Sequence, residues 1–367
     1  MTREEEIRYK HFLVRRFMAK NNLQVVALSD RANFAWFTAG GDNHVLSVSE
    51  HGVATILITS NRLHLLTNNI ECPRILNEEL PKGIFECHCA EWHDETGFAR
   101  LLGRIVGKKR IASDDGLGGT PILPAEFAEL RYSLTTPEVQ RYRRLGRLAS
   151  EAIESTAAAL EPGLTEFQIA ARLSNEVIAR GVEVTVNLIA VDDRIRKYRH
   201  PIPTDKKLRR HAMLVLGARK WGLIVSCTRM VCFGKLSKDL ARRHEAVCHV
   251  DAALNLSSRV GACVGDVFRK GLEMYRATGF PEEWRLHHQG GSTGYGARDY
   301  KGTPYETRCV QPNQAFAWNP SITGTKSEDT ILATRDGVEF LSGPIHWPTL
   351  AVEYDGVTLH RPDILTL

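Results

Sequence analysis

The 367-residue chain has no C-x-x-C pair, no apolar run approaching the roughly 18–20 residues that cross a bilayer, and no apolar core among its first residues. Each absence excludes something. Without C-x-x-C, the eight scattered cysteines (Cys72, Cys87, Cys89, Cys227, Cys232, Cys248, Cys263 and Cys309) suggest neither a zinc ribbon nor a disulfide framework, so reduced and mostly buried thiols are expected. Without an apolar run no membrane partner is expected. The acidic opening Met1-Thr2-Arg3-Glu4-Glu5-Glu6 is unlike a signal peptide, so a cytoplasmic setting is expected. A strong excess of charge is missing too, the net value being +5, although ten of the eighteen residues in Arg194–His211 are Arg, Lys or His. That stretch fits a solvated loop or a positive rim for an anionic substrate; lacking aromatics beyond Tyr198, it is not expected to bind nucleic acid.

What is present describes an ordinary globular protein, 43% hydrophobic and 25% charged, long enough for two domains. Ile7, Phe12, Leu13, Phe17 and Met18 among charges predict an amphipathic helix over 3–22. Short apolar strands at Val25–Leu28, Ala54–Thr59 and His64–Thr67 alternate with helix-like stretches at Cys72–Glu79 and Thr96–Val106, the pattern of an α/β domain. Cys87-His88-Cys89 falls on a further strand. A break near Ser133–Pro137 leads into a capping box, Thr135 with Glu138, opening a long helix that Glu161-Pro162-Gly163 stops. Thr165 and Gln168 form a second box, opening a helix that ends at Gly181. The expected domains are 1–134 and 135–367.

The most informative segment is Met213–Val231, MLVLGARKWGLIVSCTRMV, a strand, turn and strand. With Pro162-Gly163-Leu164-Thr165-Glu166 before it, and Gly290–Gly294, Asn319-Pro320 and Glu328-Asp329-Thr330 after it, it resembles the family of methionine aminopeptidase, aminopeptidase P, prolidase and creatinase. The resemblance covers nearly the whole chain. It implies an α/β fold with a small creatinase-type N-terminal domain, a C-terminal pita-bread domain and a homodimer. In that family five side chains hold two metals, and the corresponding positions here read Val215, Ser226, Gly291, Asn319 and Glu328. One carboxylate cannot hold a metal pair, because hard divalent cations need several oxygen or nitrogen ligands. No other two aspartates lie eleven apart, as the hairpin motif requires. His244 and His249 are five apart, which puts them on different helix faces, so surface or capping roles are expected for both. No metal and no cofactor are expected.

The resemblance places His200, in Arg199-His200-Pro201, where creatinase carries its acid–base histidine, and imidazole suits that task near neutrality. Otherwise it is a loop histidine set by prolines. Glu328 is the second catalytic candidate; its structural alternative is a strand-edge carboxylate paired with Lys326 or Arg335. His287, His288, Arg298, Asn319 and Lys326 are candidate substrate contacts, in segments whose Gly, Asn, Ser and Thr also suit turns. Arg229 is expected to support the site rather than touch substrate. The leading expectation is a metal-independent, creatinase-like hydrolase acting on a C–N bond of a small amide, amidine or cyclic amidine. Creatine itself is not expected, because Thr228 stands where creatinase has a glutamate. The alternatives are an Xaa-Pro peptidase, or an inactive binding module of the same fold.

Overall fold

Thr2 caps the first helix of the computed structural model, which describes Met1–Leu367, through a complete capping box with Glu5. The helix, α1 (Arg3–Lys20), buries Ile7, Val14, Phe17 and Met18, whereas Phe12, expected on that face, is half exposed. Its apolar stripe follows the i, i+7, i+10, i+11 spacing of one helical face, from which Phe12 is rotated away.

The chain folds into two compact units, one comprising Met1–Arg131, Thr135–Glu138 and Trp221–Leu223, the other Tyr132–Leu134, Val139–Lys220 and Ile224–Leu367. In the first unit, β1 (Val25–Asp30), α2 (Arg31–Phe37), β2 (His51–Ile58), β3 (Leu63–Asn68), α3 (Cys72–Arg74, continued by a wider turn through Ile75–Glu79), β4 (Glu86–Ala90), α4 (Gly97–Val106) and β5 (Ile111–Ser113) follow α1. The sheet order is β4-β3-β2-β1-β5, with β3–β4 and β1–β5 parallel and the two central pairs antiparallel. Val25, Ala27, Leu57 and Leu66 pack against Val106 and the apolar face of α4.

Next in the chain are α5 (Thr136–Ala158), which belongs to the second unit from Val139 on, and α6 (Glu166–Ala179), whose predicted capping boxes both form. Next come β6 (Glu183–Val191), α7 (Asp193–Lys197), β7 (His211–Lys220), β8 (Leu223–Cys232), α8 (Lys238–Ser257) and α9 (Val264–Ala277). The remaining strands are β9 (Gly290–Thr293), β10 (Tyr300–Lys301), β11 (Gln314–Trp318), β12 (Ser321–Ile322), β13 (Thr325–Lys326), β14 (Asp329–Thr334), β15 (Gly337–Phe340), β16 (Thr349–Tyr354), β17 (Val357–Pro362) and β18 (Ile364–Thr366). Two sheets, β18-β8-β7-β6 and β10-β9-β11-β14-β15, flank the segments that hold the site residues, and α8 and α9 cover the second through Val250, Leu254, Phe268, Phe316, Trp318 and Ile331. No helix is long and apolar enough to cross a membrane.

Two sequence expectations fail here. His244 is neither a surface nor a capping residue: it is buried, with Nδ1 2.7 Å from Thr325 Oγ1 and Nε2 3.0 Å from the Pro362 carbonyl. Two polar partners meet the cost of burying the ring, and only chain segments distant in sequence supply them. The expectation of reduced thiols fails at one pair: Cys72 and Cys89 are disulfide-bonded, with Cys87 beside them, whereas the other six cysteines are free. The parallel β3–β4 pairing returns Cys87 and Cys89 alongside the start of α3, a placement that residue spacing does not encode.

Part of the basic segment Arg194–His211 is ion-paired within its own unit. Arg194 pairs with Glu166, Lys197 and Lys206 with Asp193, and Arg199 with Glu283 at 2.7 Å.

Candidate active site

A cavity of about 320 Å³ lies in the second unit, bounded by Val186 and Leu188 of β6, Val215 and Leu216 of β7, Ser226 of β8, Lys326 of β13, and His200, His288, Ala297, Arg298, Asn319 and Glu328 from connecting segments. Val186 and Leu188 are alternate residues of one strand and so share a face, which gives the cavity an apolar wall that sequence reading missed.

At the opposite side Glu328, 2% exposed, accepts a hydrogen bond from Thr228 Oγ1 at 2.7 Å and pairs with the Lys326 ammonium at 2.7 Å. Arg298 Nη2 lies 3.7 Å away. Burial alone would raise the Glu328 pKa, but Lys326 and then Arg298 outweigh it, and the carboxyl is held below its ordinary value. The pairing with Lys326 is the one anticipated as a structural alternative; Arg335 is not involved. Next to this pair Asn319 is buried, with its Oδ1 lacking a hydrogen-bond partner, and its backbone N–H donates to the Gln289 carbonyl at 3.0 Å.

Two imidazoles, His200 and His288, form the third side, with His287 behind them. His200 and His287 share a hydrogen bond of 3.1 Å between their Nε2 atoms, and the His287 and His288 ring centroids are 4.6 Å apart. Burial, then Lys326, lowers the His200 pKa. The same causes, with the neighbouring imidazoles, push His287 down to about 2, and burial followed by Arg298 pushes His288 down to about 4. All three are therefore neutral at pH 7. A brace behind them was also missed: the Tyr275 hydroxyl donates to Gln289 Oε1 at 2.7 Å, and Gln289 Nε2 donates to the His287 carbonyl at 2.6 Å.

Of the seven candidate residues, six line the cavity, and the seventh, His287, contacts it through His200. Arg229 lies behind, buried, 3.0 Å from Asp329 Oδ1 and 3.4 Å from Glu154 Oε1, in the supporting place expected of it.

A two-unit α/β chain whose second unit presents a small cavity, apolar on one side and polar on the other, between two sheets is the architecture of a pita-bread hydrolase. The chain belongs to metallopeptidase family M24, whose family model matches residues 140–335, more than half its length. Among curated relatives, an uncharacterized peptidase from Staphylococcus haemolyticus is 22% identical over 78% of this chain and 87% of its own. Among solved structures, prolidase from Pyrococcus horikoshii superposes with a TM-score of 0.78 at 17% identity, covering 92% of this chain and 99% of that one. The Xaa-Pro dipeptidase from Bacillus anthracis gives 0.77 at 14% identity, covering 98% and 100%. The N-terminal domain of the FACT complex subunit SPT16 from chickpea gives 0.70 at 10%, covering 93% and 95%. At such identities the superpositions show the fold alone. The family match supports a peptidase-type reaction more than the creatinase-like one expected first.

The residues at the family's metal positions do not fit a metal pair. Val215 offers methyl groups, and Glu328 already faces an ammonium. At Gly291, with φ +151°, a Cβ would fall inside van der Waals contact of the Tyr300 carbonyl oxygen and 2.7 Å from the Gly302 nitrogen, so no side chain can project there. The donors that do converge are the imidazoles of His200, His287 and His288, each with a nitrogen within 4.8 Å of the others. That is a different set, able at most to take a single ion.

Proposed function

We propose that this protein hydrolyses the C–N bond of a small amide or dipeptide-like substrate bearing a carboxylate, and that it does so without the family's metal pair. The observation that carries the reading is the Lys326 ammonium, fixed 2.7 Å from Glu328 inside the cavity that Val215, Ser226 and Asn319 also line. With three neutral imidazoles, Lys326 and Arg298 against Glu328 leave the cavity with one excess positive charge, which suits an anionic ligand. Its volume of about 320 Å³ is at the small end of ligand sites and fits a molecule of dipeptide size.

In this reading the Lys326 ammonium and the Asn319 amide stabilise the oxyanion that develops as water adds to the carbonyl carbon. His200 accepts the proton of that water and returns it to the departing nitrogen, which a neutral imidazole can do. Arg298 holds the substrate carboxylate, and Val186 and Leu188 pack against its apolar part. Glu328 keeps Lys326 charged and in place. The protein acts as a homodimer, an expectation that sedimentation equilibrium checks.

The test is turnover by chelator-dialysed protein of a panel of dipeptides and small N-acyl amino acids, followed by mass spectrometry. Metal-stripped protein is expected to release product, and His200→Gln to lower kcat by about 10²–10⁴-fold with its circular dichroism unchanged. Turnover that appears only after manganese or cobalt is added would overturn the metal-free reading.

A further inference from the structure

The first unit holds a cluster that the reaction above does not use. Cys87 and Cys89 are alternate residues of β4, so their side chains share one face of the sheet, and Cys72 opens α3 next to them. The Cys87 sulfur lies 3.1 Å from that of Cys72 and 3.4 Å from that of Cys89, and all three sulfurs fall within the span of one ion's ligand shell.

A disulfide between Cys72 and Cys89 uses two of these sulfurs and leaves the third pressed closer than the roughly 3.5–4.0 Å at which non-bonded heavy atoms find their optimum. Convergence of three sulfurs supplies three corners of a tetrahedral site: a Zn–S bond of about 2.3 Å sets neighbouring sulfurs about 3.8 Å apart, a small outward movement from this geometry. The Cα–Cα distance from Cys72 to Cys89, 6.6 Å, is near the outer limit of disulfides. It is also a comfortable reach for two thiolates on one metal.

We propose that, in the reduced protein, Cys72, Cys87 and Cys89 form a three-thiolate site for a thiophilic cation of the zinc(II) type. Binding forms three sulfur–metal bonds and releases three thiol protons to solvent. Cys89 is exposed, so the fourth position faces solvent and can take water or a small ligand. Sulfur donors select this class of ion over magnesium, calcium or manganese. The site is independent of the second unit's cavity.

The test uses full-length protein, reduced with a phosphine, stripped of metal and kept anaerobic. Cobalt(II) is titrated while the near-ultraviolet thiolate-to-cobalt charge-transfer band is followed, which imidazole and carboxylate sites elsewhere in the chain do not produce. The expected result is a band that saturates at one equivalent, is abolished by zinc(II), weakens at least ten-fold in apparent affinity in Cys72→Ser, Cys87→Ser and Cys89→Ser, and is unchanged in Cys309→Ser. Zinc protection of Cys72, Cys87 and Cys89 from alkylation in the unmodified chain gives the same answer should a variant fail to fold. Absence of the band in the reduced protein, or its full retention in Cys87→Ser, overturns the site and leaves a Cys72–Cys89 disulfide with a bystander thiol.

Discussion

Lys326 is the residue on which the chemistry turns. Its ammonium is desolvated and oriented by Glu328, the arrangement needed to meet negative charge that develops during a reaction. Lys326→Met is expected to lower kcat by about 10²–10³-fold, the usual cost of losing one oxyanion-stabilising group. The same change alters the pH profile. Burial and then Lys326 keep the His200 pKa below its ordinary 6.5, so the neutral base persists as pH falls below that value and is lost only at lower pH. Removing a charge that disfavours imidazolium raises that pKa, and the acid limb of kcat/KM should move to higher pH in Lys326→Met. A limb that stays put would separate His200 from the reaction.

At the scale of elements, β9 explains why the ligand positions cannot simply be refilled. Gly290 and Gly291 carry φ values of +97° and +151°, and a Cβ on either would meet backbone of β11 or of the Tyr300–Gly302 segment. Gly291→His, the change that would rebuild the family motif, is therefore expected to destabilise the fold by a few kcal/mol, on the order of 2–4, and to bind no additional metal. Urea melts and metal analysis of the purified variant check both halves. The elements themselves were readable from the sequence where local chemistry decides them: both capping boxes of α5 and α6 and the strands β1 to β3 form within a few residues of their expected bounds. The seven candidate residues could be chosen because motif order survives even where ligands do not. The apolar wall of β6, the Tyr275–Gln289 brace and the cysteine cluster were not readable, because each depends on which strands become neighbours.

Across the second unit as a whole, a buried ionic network ties distant parts of the chain behind the cavity. Asp329 pairs with Arg229 at 3.0 Å and with Arg361 at 2.8 Å; Arg361 also pairs with Asp251 of α8, and Ser327 Oγ donates to Asp251 at 2.8 Å. Strands β8, β14 and β17 and helix α8 are thereby held around one fully buried cluster. Removing one partner leaves a carboxylate buried without its cation, so Arg361→Met is expected to cost about 3–5 kcal/mol. Burial already raises the Asp251 pKa, and loss of Arg361 raises it further. A carboxyl whose folded pKa exceeds its unfolded value loses stability as pH rises between the two, so the deficit of Arg361→Met should be larger at pH 8 than at pH 5. Equal deficits at both pH values in urea melts would show that packing, not charge, is what Arg361 supplies.

A positive charge carried on the Lys326 side chain is made with the polypeptide itself. It cannot be scavenged by a competing chelator, replaced by the wrong element, or left out when manganese or zinc is scarce, so a hydrolase built this way would work at full strength in a cell starved of trace metals.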